Sequence, residues 1–305
     1  MKKKHIIIIG SDGFIGKNLY EKLNKNKKFD IEKISRKKYQ DIFKNYNWFK
    51  KINQNSTIYL LAFENDLIYF ENNFDQLTSK YDQFCKNLFT YIKRKKLNPR
   101  IVFTSTVTVY GLTDKNYVTE NLRENPISWY DFSKYIVERY FIFFSNIYNL
   151  DFISLRLSNV YGYSRTAQNN RGFINNIIKK SINKKISTVN IYDQGKYLRD
   201  YIYIDNVTDA LVKFSIKKKF REKIFNLCSG KSKSMINVLK IIKLNLKDKN
   251  IFLKIMHSES PKNIHIINKR NFFGNNLRLR NAIKWKPKYN LNEGVELTIN
   301  KYLNK

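Results

Sequence analysis

The sequence predicts an α/β protein built on a doubly wound parallel sheet, and three observations carry that prediction. Strand-like and helix-like stretches alternate through the first half of the chain. The run Ile6-Ile7-Ile8-Ile9 leads directly into Gly10, Gly13 and Gly16 and then an amphipathic segment. A second run, Ile101 to Tyr110, is rich in β-branched and aromatic residues and closes on Gly111.

Composition narrows the class. At 305 residues the chain is long enough for a large core in one or two domains. Its 42% hydrophobic and 15% aromatic content is that of a globular protein rather than a disordered one. Lys+Arg 58 against Asp+Glu 25 gives a formal charge of +33. The lysines are scattered among many Asn, Ile, Phe and Tyr residues, all encoded by A/T-rich codons. Genome bias therefore accounts for the charge, and no specific nucleic-acid partner is expected. Cys85 and Cys228 lack CxxC spacing, and His5, His257 and His265 lack ligand-like spacing. Neither a disulfide framework nor a metal site is expected. Lys2-Lys3-Lys4 before four isoleucines mimics a signal peptide, but the apolar run is short and ends in Gly10-Ser11-Asp12-Gly13. No run reaches membrane-spanning length, so the expectation is a cytoplasmic protein without a membrane partner.

Taken in order, the chain first presents a strand, a glycine turn and a helix, the context of a dinucleotide fingerprint. Gly10, Gly13 and Gly16 let the backbone approach a pyrophosphate, and Phe14 and Ile15 open the helix beside it. The next strand, Ile31 to Ser35, ends in Ser35-Arg36-Lys37-Lys38. A free ribose 2′-hydroxyl usually meets an acidic residue there, whereas a 2′-phosphate calls for Arg. The cofactor is thus NAD or NADP, with Ser35-Arg36 tilting the choice toward NADP. Asp41 and Ile42 are placed at the adenine. Ser56 to Ala62 reads as a third core strand that brings Leu61 and the small Ala62 near the cofactor.

Tyr130-Asp131-Phe132-Ser133-Lys134 heads an aromatic helical segment. A four-residue step puts Tyr130 and Lys134 on one face, where an ammonium beside a phenol favours the phenolate. The expectation is a Tyr130 that titrates below its usual range and accepts protons. Phe74–Arg94 and Tyr130–Tyr148 are both long, amphipathic and aromatic, suited to pack on the sheet and to leave an apolar stripe for a partner subunit.

Gly10-Ser11-Asp12-Gly13-Phe14-Ile15-Gly16, Thr104 to Gly111 and Tyr130-x-x-x-Lys134 stand in the order and at the intervals of a known family. Together they resemble the extended short-chain dehydrogenase/reductases, in the NAD-dependent epimerase/dehydratase branch that acts on nucleotide sugars. Leu155 to Gly162, Gly195-x-x-x-Arg199-Asp200-Tyr201, Phe225 to Gly230 and Trp285-Lys286-Pro287 extend the resemblance over nearly the whole chain. It implies a Rossmann-type dinucleotide-binding domain over 1–160. A smaller C-terminal substrate-binding α/β lobe spans 161–305, with about 200–228 returning to the sheet. It also implies a catalytic triad of Thr106, Tyr130 and Lys134, with Lys134 on the nicotinamide ribose as well. A nucleotide diphosphate-sugar would be held by Thr106, Asn159, Arg199 and, on a looser match, Arg270. A homodimer is implied too. Arg199 and Asp200 have an alternative reading as a structural ion pair.

The residues after Thr106 separate the possible reactions. The 4,6-dehydratases of this branch carry Asp-Glu there, because eliminating water needs an extra acid and base. Val107 and Thr108 cannot titrate, so the turn is most like that of the UDP-glucose/UDP-galactose 4-epimerases. A 4-epimerase working through a transient 4-keto sugar is the leading expectation. An NADPH-dependent 4-keto-sugar reductase is the alternative, and a catalytically silent cofactor-binding protein is the remote one. Asp131 lies where the family more often has a small residue. Its effect on Tyr130 is expected to be weak, since adjacent helix residues point apart.

Overall fold

The computed structural model describes residues 3–35, 43–64, 67–113, 117–164, 172–216, 220–259 and 266–304. Arg36, Asp41 and Ile42 lie outside the described residues. In chain order the strands and helices begin β1 (Lys4–Ile9), α1 (Phe14–Asn24), β2 (Phe29–Ile34), β3 (Thr57–Leu60) and α2 (Leu67–Arg94). Next come β4 (Arg100–Thr106), β5 (Tyr117–Val118), α3 (Trp129–Ile147), β6 (Phe152–Leu157), β7 (Asn159–Tyr161) and α4 (Phe173–Lys184). They continue with β8 (Ile186–Ile191), β9 (Leu198–Tyr203), α5 (Ile204–Ile216), β10 (Ile224–Leu227), β11 (Ser232–Ser234) and α6 (Met235–Lys247). The last are β12 (Phe252–His257), β13 (Phe273–Gly274), α7 (Leu277–Ile283) and α8 (Leu291–Leu303).

The main sheet has the order β10-β6-β4-β3-β1-β2, and the pairings from β6 to β2 are parallel. Helices cover both faces of such a sheet, which is why its inner strands are buried almost along their length rather than at alternate positions. Ile6 to Ile9, Ile101 to Phe103 and Phe152 to Leu155 are all buried. The chain splits into two compact units. The first comprises Met1–Gly111, Arg123–Leu157 and Thr208–Phe225; the second comprises Leu112–Leu122, Ser158–Val207 and Asn226–Lys305.

In the first unit, α1 buries Gly16, Leu19 and Leu23, a helical stripe of three- and four-residue steps. α2 bends at Asn73, whose backbone leaves the helical region. α2 and α3 meet through stacked rings, Phe89 on Phe144 with centroids 4.3 Å apart, while Phe141 stacks on Phe152 of the sheet at 5.1 Å. α3 also buries ionisable groups: Asp131, Lys134 and Glu138 lie on the same buried side as Val137 and Phe141.

The second unit has a sheet of order β11-β9-β7 and two pairs, β12-β8 and β13-β5. α8 starts with a reciprocal cap in which Asn290 and Glu293 satisfy each other's backbone N–H. The Trp285 indole donates to the Asn206 carbonyl (3.2 Å), and the Asn206 side chain accepts from the N–H of Lys288 and Tyr289. That interlock is what the Trp-Lys-Pro stretch contributes.

Candidate active site

The glycine turn sits where the strand order reverses, at the C-terminal ends of β1 and β3. In an open α/β sheet that is where a ligand crevice forms. Gly10 has φ +89°, and a Cβ on it would stand 2.8 Å from the backbone N of Ala62. A Cβ on Gly16 would stand 2.1 Å from the Gly10 carbonyl oxygen, so only glycine lets α1 approach β1 this closely. Gly13 caps α1 with no side-chain hydrogen bond, and the first turn carries no acidic residue. The Ser11 hydroxyl is buried and has no hydrogen-bond partner among the described residues. Helix N–H groups without a side-chain cap and an orphaned hydroxyl, on a turn that glycine alone lets pack this tightly, are chemistry that fits a dinucleotide pyrophosphate. Phe14 and Ile15 are half-buried at the start of α1, and Leu61 donates its N–H to the Ile9 carbonyl (3.0 Å). Ser35 is buried just past β2, with no acidic side chain at that position.

Thr106 ends β4, and one turn of 3-10 helix, Val107–Tyr110, follows it. The turn stops at Gly111, where φ is +74° and a Cβ would meet the Asn125 carbonyl at 2.0 Å. α3 starts at Trp129 with Ser128 as its cap, which presents Tyr130 and Lys134 from its first turns. Lys134 is 4% exposed. Its Nζ donates to the Thr104 carbonyl (2.8 Å) and lies 4.0 Å from the Phe63 ring centroid, 5.0 Å from that of Phe103 and 5.9 Å from that of Tyr130. The two residues therefore do share a face, as the four-residue spacing requires.

Their electrostatics reverse the expectation drawn from that spacing. Burial pushes the Tyr130 phenol well above its ordinary 10.0, and the Asp131 carboxylate and Tyr81 push it further. Burial also draws Lys134 down from 10.5 to about 7. Lys134 is walled in by aromatic rings and Tyr130 is half-buried beside it, so each favours its neutral form. The ammonium is directed at a backbone carbonyl rather than spent on the phenol. Asp131 is the second correction, because it faces inward at 1% exposure and does act on Tyr130.

Thr106 is 7% exposed and belongs to a small chain of hydroxyls. Its Oγ1 lies 2.9 Å from the Thr108 Oγ1 and accepts from the Thr108 N–H at 3.2 Å. Thr108 donates in turn to Asp131 Oδ1. Asn159, Arg199 and Arg270 belong to the second unit. Asn159 is exposed on β7 and donates to the Asp200 backbone carbonyl (3.1 Å). Arg199 is half-buried and donates to the carbonyls of Leu198 (3.1 Å), Ile267 (3.4 Å) and Asn268 (3.0 Å). Burial lowers its pKa, and the like charge of Arg270 beside it adds to the effect. Two neighbouring guanidiniums, one of them 8% exposed, make a positive spot suited to a polyphosphate. Arg199 and Asp200 do not form the ion pair of the alternative reading. The Asp200 carboxylate is occupied by Ser158, by the Ser229 hydroxyl and by the backbone N–H groups of Ser229, Gly230 and Lys231.

Residues 6–228 match the NAD dependent epimerase/dehydratase family. The chain belongs to this family. It is 26% identical over 216 residues to a putative UDP-glucose 4-epimerase of Methanocaldococcus jannaschii; that alignment covers 70% of this chain and 66% of that protein, just under two thirds of its length. It is 26% identical to the dTDP-4-dehydro-6-deoxyglucose reductase of Escherichia coli over 98% of this chain and 97% of that protein. Among solved structures, UDP-glucose 4-epimerase from Thermotoga maritima, crystallised with UDP-glucose, superposes with a TM-score of 0.83 at 22% identity, covering 98% of this chain and 99% of that one. At that identity the likeness establishes the fold, a Rossmann-type parallel sheet flanked by helices.

Family motifs point to the turn and the triad positions in this epimerase/dehydratase chain, but not to what surrounds them. Phe63 and Phe103 wall in the Lys134 ammonium, Phe63 stacks on Tyr81 at 4.2 Å, and the Glu64 N–H donates to the Tyr81 hydroxyl (3.1 Å). Phe63 belongs to none of the motifs above, so no local pattern singles it out. Thr108 and Asp131 are 23 residues apart in sequence, so no local pattern connects them.

Proposed function

We propose that this protein is an NAD(P)-dependent nucleotide-sugar 4-epimerase that works through a transient 4-keto sugar. The observation that carries the reading is the turn after Thr106. Val107 is buried and Thr108 commits its hydroxyl to Asp131, so the turn itself offers no titratable pair for eliminating water. Beside β4 stand a hydroxyl, a phenol and an amine, sufficient for oxidation and return at one carbon, while the Asp131 carboxylate is engaged by Thr108. The glycine turn of Gly10, Gly13 and Gly16, with Phe14 and Ile15, holds the pyrophosphate; Ser35, Leu61 and Ala62 border the rest of the cofactor. Bound there, the nicotinamide supplies hydride transfer. Thr106 Oγ1 holds the reacting sugar oxygen, and Tyr130 Oη moves its proton. Lys134 Nζ reaches the ribose. Asn159, Arg199 and Arg270 hold the diphosphate end of the substrate. The reading extends to a homodimer through α2 and α3, because α3 leaves Phe132, Phe143 and Ile147 exposed.

A second reading is a 4-keto-sugar reductase. A phenol held in its protonated form is ready to protonate a ketone oxygen, and Ser35 stands where an acidic residue would mark NAD. Cofactor behaviour separates the two. An epimerase retains oxidised cofactor through purification and interconverts UDP-glucose and UDP-galactose with no net consumption. Consumption of one NADPH per 4-keto sugar, with no epimerisation, would replace the first reading by the second.

A further inference from the structure

Asp131 is buried and closes a hydrogen-bonded chain that runs through Thr108 and ends on Thr106. A hydroxyl has one proton to give. Thr108 gives its proton to Asp131 Oδ1, so toward Thr106 the Thr108 oxygen must accept. The Thr106 proton is thereby spent on Thr108. One Thr106 lone pair is already used by the Thr108 N–H, leaving a single lone pair and no proton for a ligand. From this donor count we infer that Asp131 is a positioning residue that, acting through Thr108, fixes Thr106 as a hydrogen-bond acceptor, so that the site selects a hydroxyl over a ketone at the reacting carbon of the sugar.

The inference rests on the epimerase/reductase reading for the identity of the ligand, but its logic lies in the three side chains. A sugar hydroxyl donates to the exposed lone pair of Thr106. A ketone oxygen, which can only accept, meets that lone pair and gains nothing from it. Without the Thr108 hydroxyl, the Thr106 proton is released to rotate toward the ligand, and the preference moves toward the ketone. The selectivity at stake is that of one hydrogen bond between neutral groups, about five- to tenfold in relative affinity.

The test compares binding of UDP-6-deoxyglucose and its 4-keto counterpart, which differ only at that carbon. Each is titrated in the complex that cannot turn over, the hydroxy sugar with reduced cofactor and the keto sugar with oxidised cofactor. The hydroxy-to-keto affinity ratio of each variant is then divided by that of the wild type, which cancels the cofactor difference. Thr108→Val is expected to lower the ratio about five- to tenfold, and Thr108→Ser to restore it. Asp131→Leu, which offers Thr108 no acceptor and frees its proton to turn toward Thr106, is expected to lower it as well. A ratio unchanged in Thr108→Val overturns the proposal. A shift in Thr108→Val with none in Asp131→Leu overturns the role of Asp131. If the wild type binds neither these sugars nor their thymidine-linked equivalents, the functional reading itself fails and the inference goes with it.

Discussion

Replacing Lys134 by methionine is expected to stabilise the cofactor-free protein near neutral pH, and the gain is expected to shrink as pH rises. The Lys134 pKa falls from 10.5 in the open chain to about 7 in the folded protein. Between those values the unfolded chain binds more protons than the folded one, so this group makes stability rise with pH. The linkage gives a burial cost of about 4 kcal/mol near pH 7 and about 2 kcal/mol near pH 9. Methionine has a similar length and no charge, so Lys134→Met removes that cost. It also removes the hydrogen bond to the Thr104 carbonyl and leaves that carbonyl unsatisfied, a loss of about 1–3 kcal/mol. The net gain is therefore about 1–3 kcal/mol near neutrality and close to zero two pH units higher. Urea unfolding of both proteins across that range measures it. Burial also raises Tyr59, Tyr203 and Cys85, whose linkage runs the other way at alkaline pH, but these are common to both proteins and drop out of the difference. A wild-type-minus-variant difference that stays constant with pH would refute a buried, depressed amine.

Two further substitutions test the surroundings. Gly16→Ala drives a methyl group to 2.1 Å from the Gly10 carbonyl, so it is expected to cost about 1–3 kcal/mol in thermal unfolding and to abolish cofactor retention on gel filtration. Glu138→Gln breaks a network in which the fully buried Glu138 accepts from the fully buried Arg156 and Ser154 while Arg156 also meets the partly exposed Glu124. It leaves a buried guanidinium short of charge, and a loss on the order of 3 kcal/mol in urea unfolding is expected. A loss under about 1 kcal/mol would mean that water or Glu124 alone satisfies Arg156.

Much of the first unit is legible in the sequence because its signals are local. Four isoleucines before three spaced glycines specify strand, turn and helix, and the close contact of Gly16 with Gly10 shows why no other residue serves there. Tyr130 and Lys134 share a face because helix geometry leaves no alternative. Their titration was not legible, because it depends on Phe63, Phe103 and Tyr81, which come from the loop after β3, from β4 and from α2 and help to bury the two groups. The inward turn of Asp131 is likewise set by Thr108 on a different element. Spacing rules predict which side chains are neighbours along a helix; they carry no information on what the sheet places opposite. In the second unit Arg199 and Asp200 are adjacent in sequence and opposite in charge, but Asp200 is taken up by a loop about thirty residues away, a long-range contact that no dipeptide reading contains.

The most direct test of the central claim is a single turnover of the cofactor-loaded protein mixed with a nucleotide sugar, followed by the near-ultraviolet absorbance of reduced nicotinamide, in the wild type and in Tyr130→Phe. Proton transfer at the phenol predicts a rise in the wild type and a rate at least about a hundredfold lower in the variant, with nucleotide-sugar affinity retained. An equal rate in both proteins would contradict the assignment of Tyr130 as the proton-transferring group.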